Sequence, residues 1–490
     1  MRKSGVLLAI SSLPGKYGIG CFGKEAYDFV DFLVAAGQHY WQILPLGPTG
    51  FGDSPYQSFS TFAGNPYYID LEELIKLGLL TKKECDRADL KDGDGSVNYE
   101  KIYFGKMPLL KKAFRRFNTA DKEFIRFCRN EKEWLDDYAL YMACKEEEGG
   151  ASFLEWDADL RTRKPSAVKE AKKRLSDEVL YYSFLQYLFF NQWGKLKKYA
   201  NEAGIEIIGD IPIYVAADSA DTWANPKLFQ LSKDFYPTAV AGCPPDMFAV
   251  TGQLWGNPLY DWDYHKSTGY AWWIQRIRHC FRLYDVVRVD HFRGFDSYYS
   301  IPYKDPTAEF GHWVKGPGFD LFRTVRTELG DLRIIAEDLG FLTPSVYKLM
   351  KKCGYPGMKI LEFAFDGNAE NEYLPYNYSS NCVVYTGTHD NETVQGWYAS
   401  MKPADRKRIK EFLNVKSAKN LHTEMIRLAF ASVADTAVVP MQDLLGYGNE
   451  ARMNTPSTMG INWMWRMKAD ALSKELADNL YQMTKIYGRL

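Results

Sequence analysis

Val286-Val287-Arg288-Val289-Asp290-His291-Phe292-Arg293-Gly294-Phe295 is a short β-branched run that breaks into a cluster of charge, followed by a glycine between two aromatics. The valines suit a buried strand, yet Arg288 and Asp290 interrupt them at a spacing of two. Successive strand side chains alternate faces, so these two charges point the same way. Charges buried without partners are costly, and two readings meet that demand. One is a structural ion pair inside a barrel. The other is a catalytic carboxylate kept ionised by the neighbouring guanidinium.

Working outward, the same kind of run recurs behind a repeated junction of amphipathic helix, glycine and short apolar stretch. Tyr27 to Ala36 leads through Gly37 to Tyr40–Leu44, and Leu180 to Ala203 through Gly204 to Ile205–Ile208. Leu321 to Leu329 leads through Gly330 to Leu332–Ile335, and Val346 to Cys353 through Gly354 to Met358–Leu361. Glycine just past a helix takes positive φ cheaply, so these are αβ units. Val6–Ile10, Val286–Asp290, Cys382–Thr386 and Ala437–Pro440 complete eight strand-like runs. Eight parallel strands alternating with helices predict an α/β fold, a closed (β/α)8 TIM barrel, with no separate C-terminal β-domain.

Two connections exceed what a barrel needs. About 53–185 reads as an inserted, mostly helical subdomain, with Lys/Glu-rich stretches such as Asp121 to Glu148 expected as solvated helix faces. About 214–268, rich in Gly, Pro, Trp and Asp, reads as an inserted loop region at the active site, with too many aromatics for disorder. The whole, 1–490, is expected to be a single catalytic barrel.

The composition bounds the partners. With 61 basic and 62 acidic residues the net charge is -1, which gives no electrostatic footprint for nucleic acid or an anionic membrane. The opening Met1-Arg2-Lys3 before an apolar run resembles a secretory leader, but Ser11, Ser12 and Pro14 end the run early, and it reads as the first strand. The eight cysteines show no metal spacing and suggest reduced thiols in a cytoplasmic protein. Monomer and homodimer are equally compatible with the sequence. The 33 Tyr and 13 Trp exceed what a core requires and suit flat amphipathic ligands such as sugars.

In such barrels the chemistry gathers at the C-terminal ends of the strands. The third run ends in Asp210, the fourth in Asp290, the fifth in Glu337-Asp338, and the seventh in Thr386-Gly387-Thr388-His389-Asp390-Asn391. Any one acid there can be a helix N-cap; four, with Arg288 and His389 interleaved, call for another explanation. No lysine ends these runs to form a Schiff base. An enolase-like metal site fits the acids, but aromatic-rich loops fit a sugar better. Glycoside chemistry needs one ionised carboxylate and one protonated. Asp290 beside Arg288 is the expected nucleophile, and Glu337 after Ile334-Ile335-Ala336 the expected acid/base. Asp338 falls on the opposite face of its strand. Asp390 is expected to stabilise the cationic transition state, and His389 either binds a sugar hydroxyl or packs in its loop.

Several long strings in order resemble the 4-α-glucanotransferases called amylomaltases or disproportionating enzymes, of the α-amylase clan. They include Tyr40-Trp41-Gln42-Ile43-Leu44-Pro45-Leu46-Gly47-Pro48-Thr49-Gly50, Gly52-Asp53-Ser54-Pro55-Tyr56-Gln57-Ser58 and Ile208-Gly209-Asp210-Ile211-Pro212-Ile213. Gly252-Gln253-Leu254-Trp255-Gly256-Asn257-Pro258, Val289-Asp290-His291-Phe292-Arg293-Gly294 and Ala336-Glu337-Asp338-Leu339-Gly340 follow. The resemblance implies the same roles for Asp290, Glu337 and Asp390, with Arg288 and His389 contacting the centre and Asp210 keeping it in order. It implies that Tyr56 stacks on a sugar, and that Pro244-Pro245-Asp246 to Pro258 arches over the glucan with Gln253, Trp255 and Asn257 near it. It implies no cofactor and no metal, and an α-1,4-glucan or malto-oligosaccharide substrate. A retaining α-glucoside hydrolase with the same acids is the nearer alternative, and a glycan-binding protein without catalysis the farther one.

Overall fold

A computed structural model describes residues 2–91, 95–245, 249–340 and 342–490; Asp246 lies outside them. Among the described residues, twelve strands form two sheets. The larger has eight parallel strands: β1 (Lys3–Leu7), β2 (Tyr40–Gln42), β3 (Glu206–Ile211), β6 (Val286–Val289), β9 (Ile334–Ala336), β10 (Gly357–Ile360), β11 (Cys382–Tyr385) and β12 (Thr436–Pro440). Each except β9 pairs with the next in chain order, and β12 pairs with β1. The amide of Ala336 donates to the carbonyl of Pro356 at 2.9 Å, which joins β9 to β10 and closes the (β/α)8 barrel. The capping glycines behave as their positions predict: Gly37, Gly204, Gly330 and Gly354 have φ of 65°, 84°, 80° and 77°.

Beyond β12 the described residues form helices and turns and no further sheet. None of the described helices is long and apolar enough to cross a membrane. All four residues of β6 are buried, and Val287 and Val289 belong with Ile207, Ile335 and Tyr385 to one continuous core.

Two expectations need correction and one is met in part. The first strand lies at Lys3–Leu7 rather than Val6–Ile10, because Gly5 is pressed against Tyr40, where a Cβ would stand 2.4 Å from the Tyr40 Cβ. The apolar residues after it turn as a buried loop. The helix Lys132–Glu147 is solvated along its charged side, where Lys132, Glu133, Asp136, Glu146 and Glu147 are exposed, but its other side is buried through Trp134, Tyr138 and Tyr141, and buried Lys145 reaches Asp218 at 2.6 Å. Residues 214–268 are more regular than a loop. They supply β4 (Ala239–Cys243) and β5 (Gln253–Pro258), which join β7 (Ser297–Pro302) and β8 (His312–Lys315) in an antiparallel sheet of order β5-β4-β7-β8.

Between β2 and β3 the chain is mainly helical, and its last helix, Ser176–Glu202, is continuous over 27 residues from the inserted layer into the barrel layer.

Candidate active site

The pairing of β3 with β6 sets Asp210 directly opposite Arg288. The pairing of β6 with β9 sets Val289 opposite Ala336, so Asp290 and Glu337 leave the barrel side by side as the next residue of each strand. Arg288 is 3% exposed and Asp210 0%. One guanidinium nitrogen donates to both Asp210 oxygens at 2.8 and 2.7 Å and to Asp290 Oδ1 at 3.1 Å. Tyr56 donates its hydroxyl to Asp210 Oδ2 at 2.8 Å. The buried arginine is therefore gripped chiefly by Asp210, and Asp290 takes the longer share of it.

That division sets the ionisation of the pair. Burial raises the Asp290 carboxyl to about 6: Arg288 pulls it down, but the charges of Asp210 and Asp390 oppose that pull. Burial and then the Asp290 charge push Glu337 up to about 7. Arg288 thus leaves Asp290 above the usual carboxylate range, against the expectation from sequence, yet the order of the two acids is the one glycoside chemistry needs. Between about pH 6 and 7, Asp290 is charged and Glu337 holds its proton. Glu337 is also fixed in place, since its oxygens accept the amides of His291 and Leu339, both at 2.7 Å. His291 adopts φ 50°, an uncommon left-handed conformation that turns its amide toward Glu337.

A bell-shaped profile of kcat/KM follows, with its maximum between about pH 6 and 7. Activity falls as pH rises through about 7, where Glu337 loses its proton, and as pH drops through about 6, where Asp290 gains one. An alkaline limb beginning near pH 4.5, the ordinary carboxylate value, would remove Glu337 from the acid role.

Across the rim, Asp390 Oδ2 lies 3.3 Å from His389 Nε2, and its Oδ1 accepts from Asn454 Nδ2 at 2.6 Å. Burial alone would raise this carboxyl, but His389 and Asn454 hold it well below the usual range. Burial lowers His389 and Asp390 outweighs it, leaving the imidazole above its ordinary value. The His389 ring stacks on Tyr56, with centroids 5.1 Å apart and planes at 17°. Asp338 accepts the amide of Met358 at 2.6 Å, on the side where a Cβ at Gly357 would strike it, and so staples β9 to β10.

The second sheet borders this cleft. The Trp255 ring meets His291 edge to face at 4.8 Å, and its Nε1 donates to Gln253 Oε1 at 3.0 Å. The Asn257 amide is occupied, donating to Val215 O at 2.7 Å and accepting from Gln57 at 3.2 Å, which ties β5 to the barrel rim. Among the described residues no group of three or more His, Cys, Asp or Glu gathers to hold a metal ion.

Several participants had no legible signal. Asn454 and Arg452, which donates to the Asp390 carbonyl at 2.8 Å, follow β12 in a segment with no strand or motif pattern. The His291 and Leu339 amides are backbone groups that only φ and ψ can aim.

The sequence pattern described as 4-alpha-glucanotransferase matches residues 8–472. A 4-alpha-glucanotransferase of Clostridium butyricum is 50% identical over 98% of this chain and 99% of its own. That of Streptococcus pneumoniae serotype 4 is 52% identical over 100% of this chain and 98% of its own. The structure of amylomaltase from Streptococcus agalactiae in complex with acarbose superposes with a TM-score of 0.97 at 42% identity, covering 100% of both chains.

Proposed function

The chain belongs to the 4-alpha-glucanotransferase family, and from that premise we propose how its residues divide the transfer of glucan segments. Asp290 attacks the anomeric carbon of an α-1,4 bond, and Glu337 gives its proton to the departing glucan oxygen. The covalent glycosyl intermediate passes its segment to the 4-hydroxyl of an acceptor glucan or glucose, whose proton Glu337 now takes. The two inversions retain the α configuration. Asp390, kept ionised by His389 and Asn454, stabilises the positive ring in both transition states. The observation that carries this reading is the adjacent exit of Asp290 and Glu337 from paired strands, with their ionisation in the required order.

Arg288 and Asp210 hold Asp290 in line. Tyr56 and His389 offer a flat aromatic pair suited to a sugar face, and Gln253, Trp255 and Asn257 belong to the acceptor side. We read about 53–185 as a helical subdomain and about 214–268 as the region that shapes the cleft. The free thiols of Cys21, Cys85, Cys128, Cys144, Cys280, Cys353 and Cys382 support a reducing compartment such as the cytoplasm.

Maltotriose tests the function. A transferase yields glucose and longer oligomers with a nearly constant total of reducing ends, whereas steady growth in reducing ends would mark a hydrolase. Transfer prevails when an acceptor is bound and water is kept from the intermediate. Trp255, packed on His291 beside the nucleophile, is the side chain assigned to that exclusion. Trp255→Ala is expected to raise the ratio of hydrolysis to transfer several-fold; slower turnover at an unchanged ratio would remove Trp255 from this role.

A further inference from the structure

Trp463 lies beyond β12, in a segment without helix or strand, and is 6% exposed. Its φ is 65°, a left-handed conformation that is strained for a bulky side chain. Two hydrogen bonds clamp it there. Its amide donates to Met453 O at 2.7 Å, and its carbonyl accepts the hydroxyl of Tyr99, the first residue of the helix Tyr99–Arg116, at 2.8 Å. The turn closed by the first bond starts beside Asn454, whose backbone amide donates to His389 O at 3.1 Å. Strain of this kind persists only where the surroundings enforce it, and it gathers at functional sites.

The strained backbone delivers the indole to the aromatic pair in the cleft. Its centroid stands 5.7 Å from that of Tyr56 and 5.9 Å from that of His389, with planes at 42° and 38°. Tyr56 and His389 are themselves 5.1 Å apart, so the three centroids form a nearly equilateral triangle and the indole packs on both rings at once. Each ring leads to a different acid. Tyr56 reaches Asp290 through Asp210 and Arg288, and His389 faces Asp390 at 3.3 Å.

We propose that Trp463 is a positioning residue for glucan transfer, a wedge that fixes Tyr56 and His389 against each other and so sets how Asp290 and Asp390 face one sugar ring. The proposal rests on the roles given above to Tyr56, His389 and Asp390. Trp463 acts by shape and not by charge. A flat ring in the wedge blocks the rotation of both neighbours, whereas a smaller side chain leaves them room to turn.

The test is a mutant cycle, with kcat and KM measured on maltotriose and on α-maltosyl fluoride, an activated donor that keeps weak variants measurable. Trp463→Phe, which keeps a flat ring in the wedge, is expected to hold kcat within about fivefold of the parent. Trp463→Leu and Trp463→Gly are expected to lose about tenfold or more in kcat with KM within about threefold. Glycine takes positive φ without strain, so Trp463→Gly removes the ring and leaves the backbone turn in place. In a Tyr56→Ala, His389→Ala background the further loss from Trp463→Gly should shrink below about twofold, because residues that act as a unit are not additive. Equal fold-losses in both backgrounds, parental kcat in Trp463→Leu or Trp463→Gly, or a loss carried by KM alone would overturn the proposal. Parental kcat in the Tyr56→Ala, His389→Ala enzyme would instead overturn the reading of those two rings on which it stands.

Discussion

Asp290→Asn is expected to lower kcat by about 10⁴-fold or more while the enzyme stays folded and still binds glucan. Asparagine keeps the shape but cannot form the glycosyl ester, so the double displacement has no first step. The fold survives for a reason specific to this barrel. Arg288 is buried, and removing the one partner of a buried charge usually destabilises strongly. Here its two shorter contacts go to Asp210, and only the 3.1 Å contact is weakened. A second consequence follows from the charge lost. The Asp290 anion is the second cause, after burial, that raises Glu337, so in the variant Glu337 should titrate at lower pH. Thermal unfolding, glucan affinity and kcat together check this, and a variant retaining a tenth of parental kcat would displace Asp290 as nucleophile.

Glu337→Gln is expected to separate two kinds of donor. With maltotriose the departing glucan oxygen needs a proton, and kcat should fall by about 10²–10⁴-fold, the usual worth of general acid catalysis. With α-maltosyl fluoride the leaving group departs without one, so formation of the glycosyl-enzyme should fall far less, and its alkaline limb near pH 7 should vanish. Pre-steady-state release of fluoride measures this step alone. Equal losses on both donors would mean that Glu337 orders the site and does not act as its acid. Only one of the two amides on Glu337 keeps its acceptor in this variant, since the glutamine carbonyl oxygen can accept one of them and the side-chain NH2 cannot accept the other.

Much of this was written in the chain. Gly37, Gly204, Gly330 and Gly354 mark where helices stop and barrel strands begin, because a positive φ past a helix end is a local demand that local residues satisfy. The alternation of a strand puts Arg288 and Asp290 on one face, and the end of each apolar run names Asp210, Asp290, Glu337 and Asp390 as one rim. Such features depend on neighbours a few residues apart. The second sheet was not legible, since β4 and β5 are short, glycine-bearing strands that become regular only on pairing with each other and, through β4, with β7, beyond Asp290. The turn of His291 to φ 50° shows no residue pattern either; its purpose appears only with Glu337 beside it.

What sequence alone determined is the barrel and which carboxylates stand at its strand ends: periodicity and strand ends are short-range properties. What tertiary structure alone decided is how those acids share charge. The register of β3 on β6 hands Arg288 mainly to Asp210, and burial then lifts Asp290 to about 6 and Glu337 to about 7. It also brings Asn454 to Asp390 across 64 residues. Charge acts through space and in proportion to lost solvent, and neither distance nor burial is set until the distant strands close on one another.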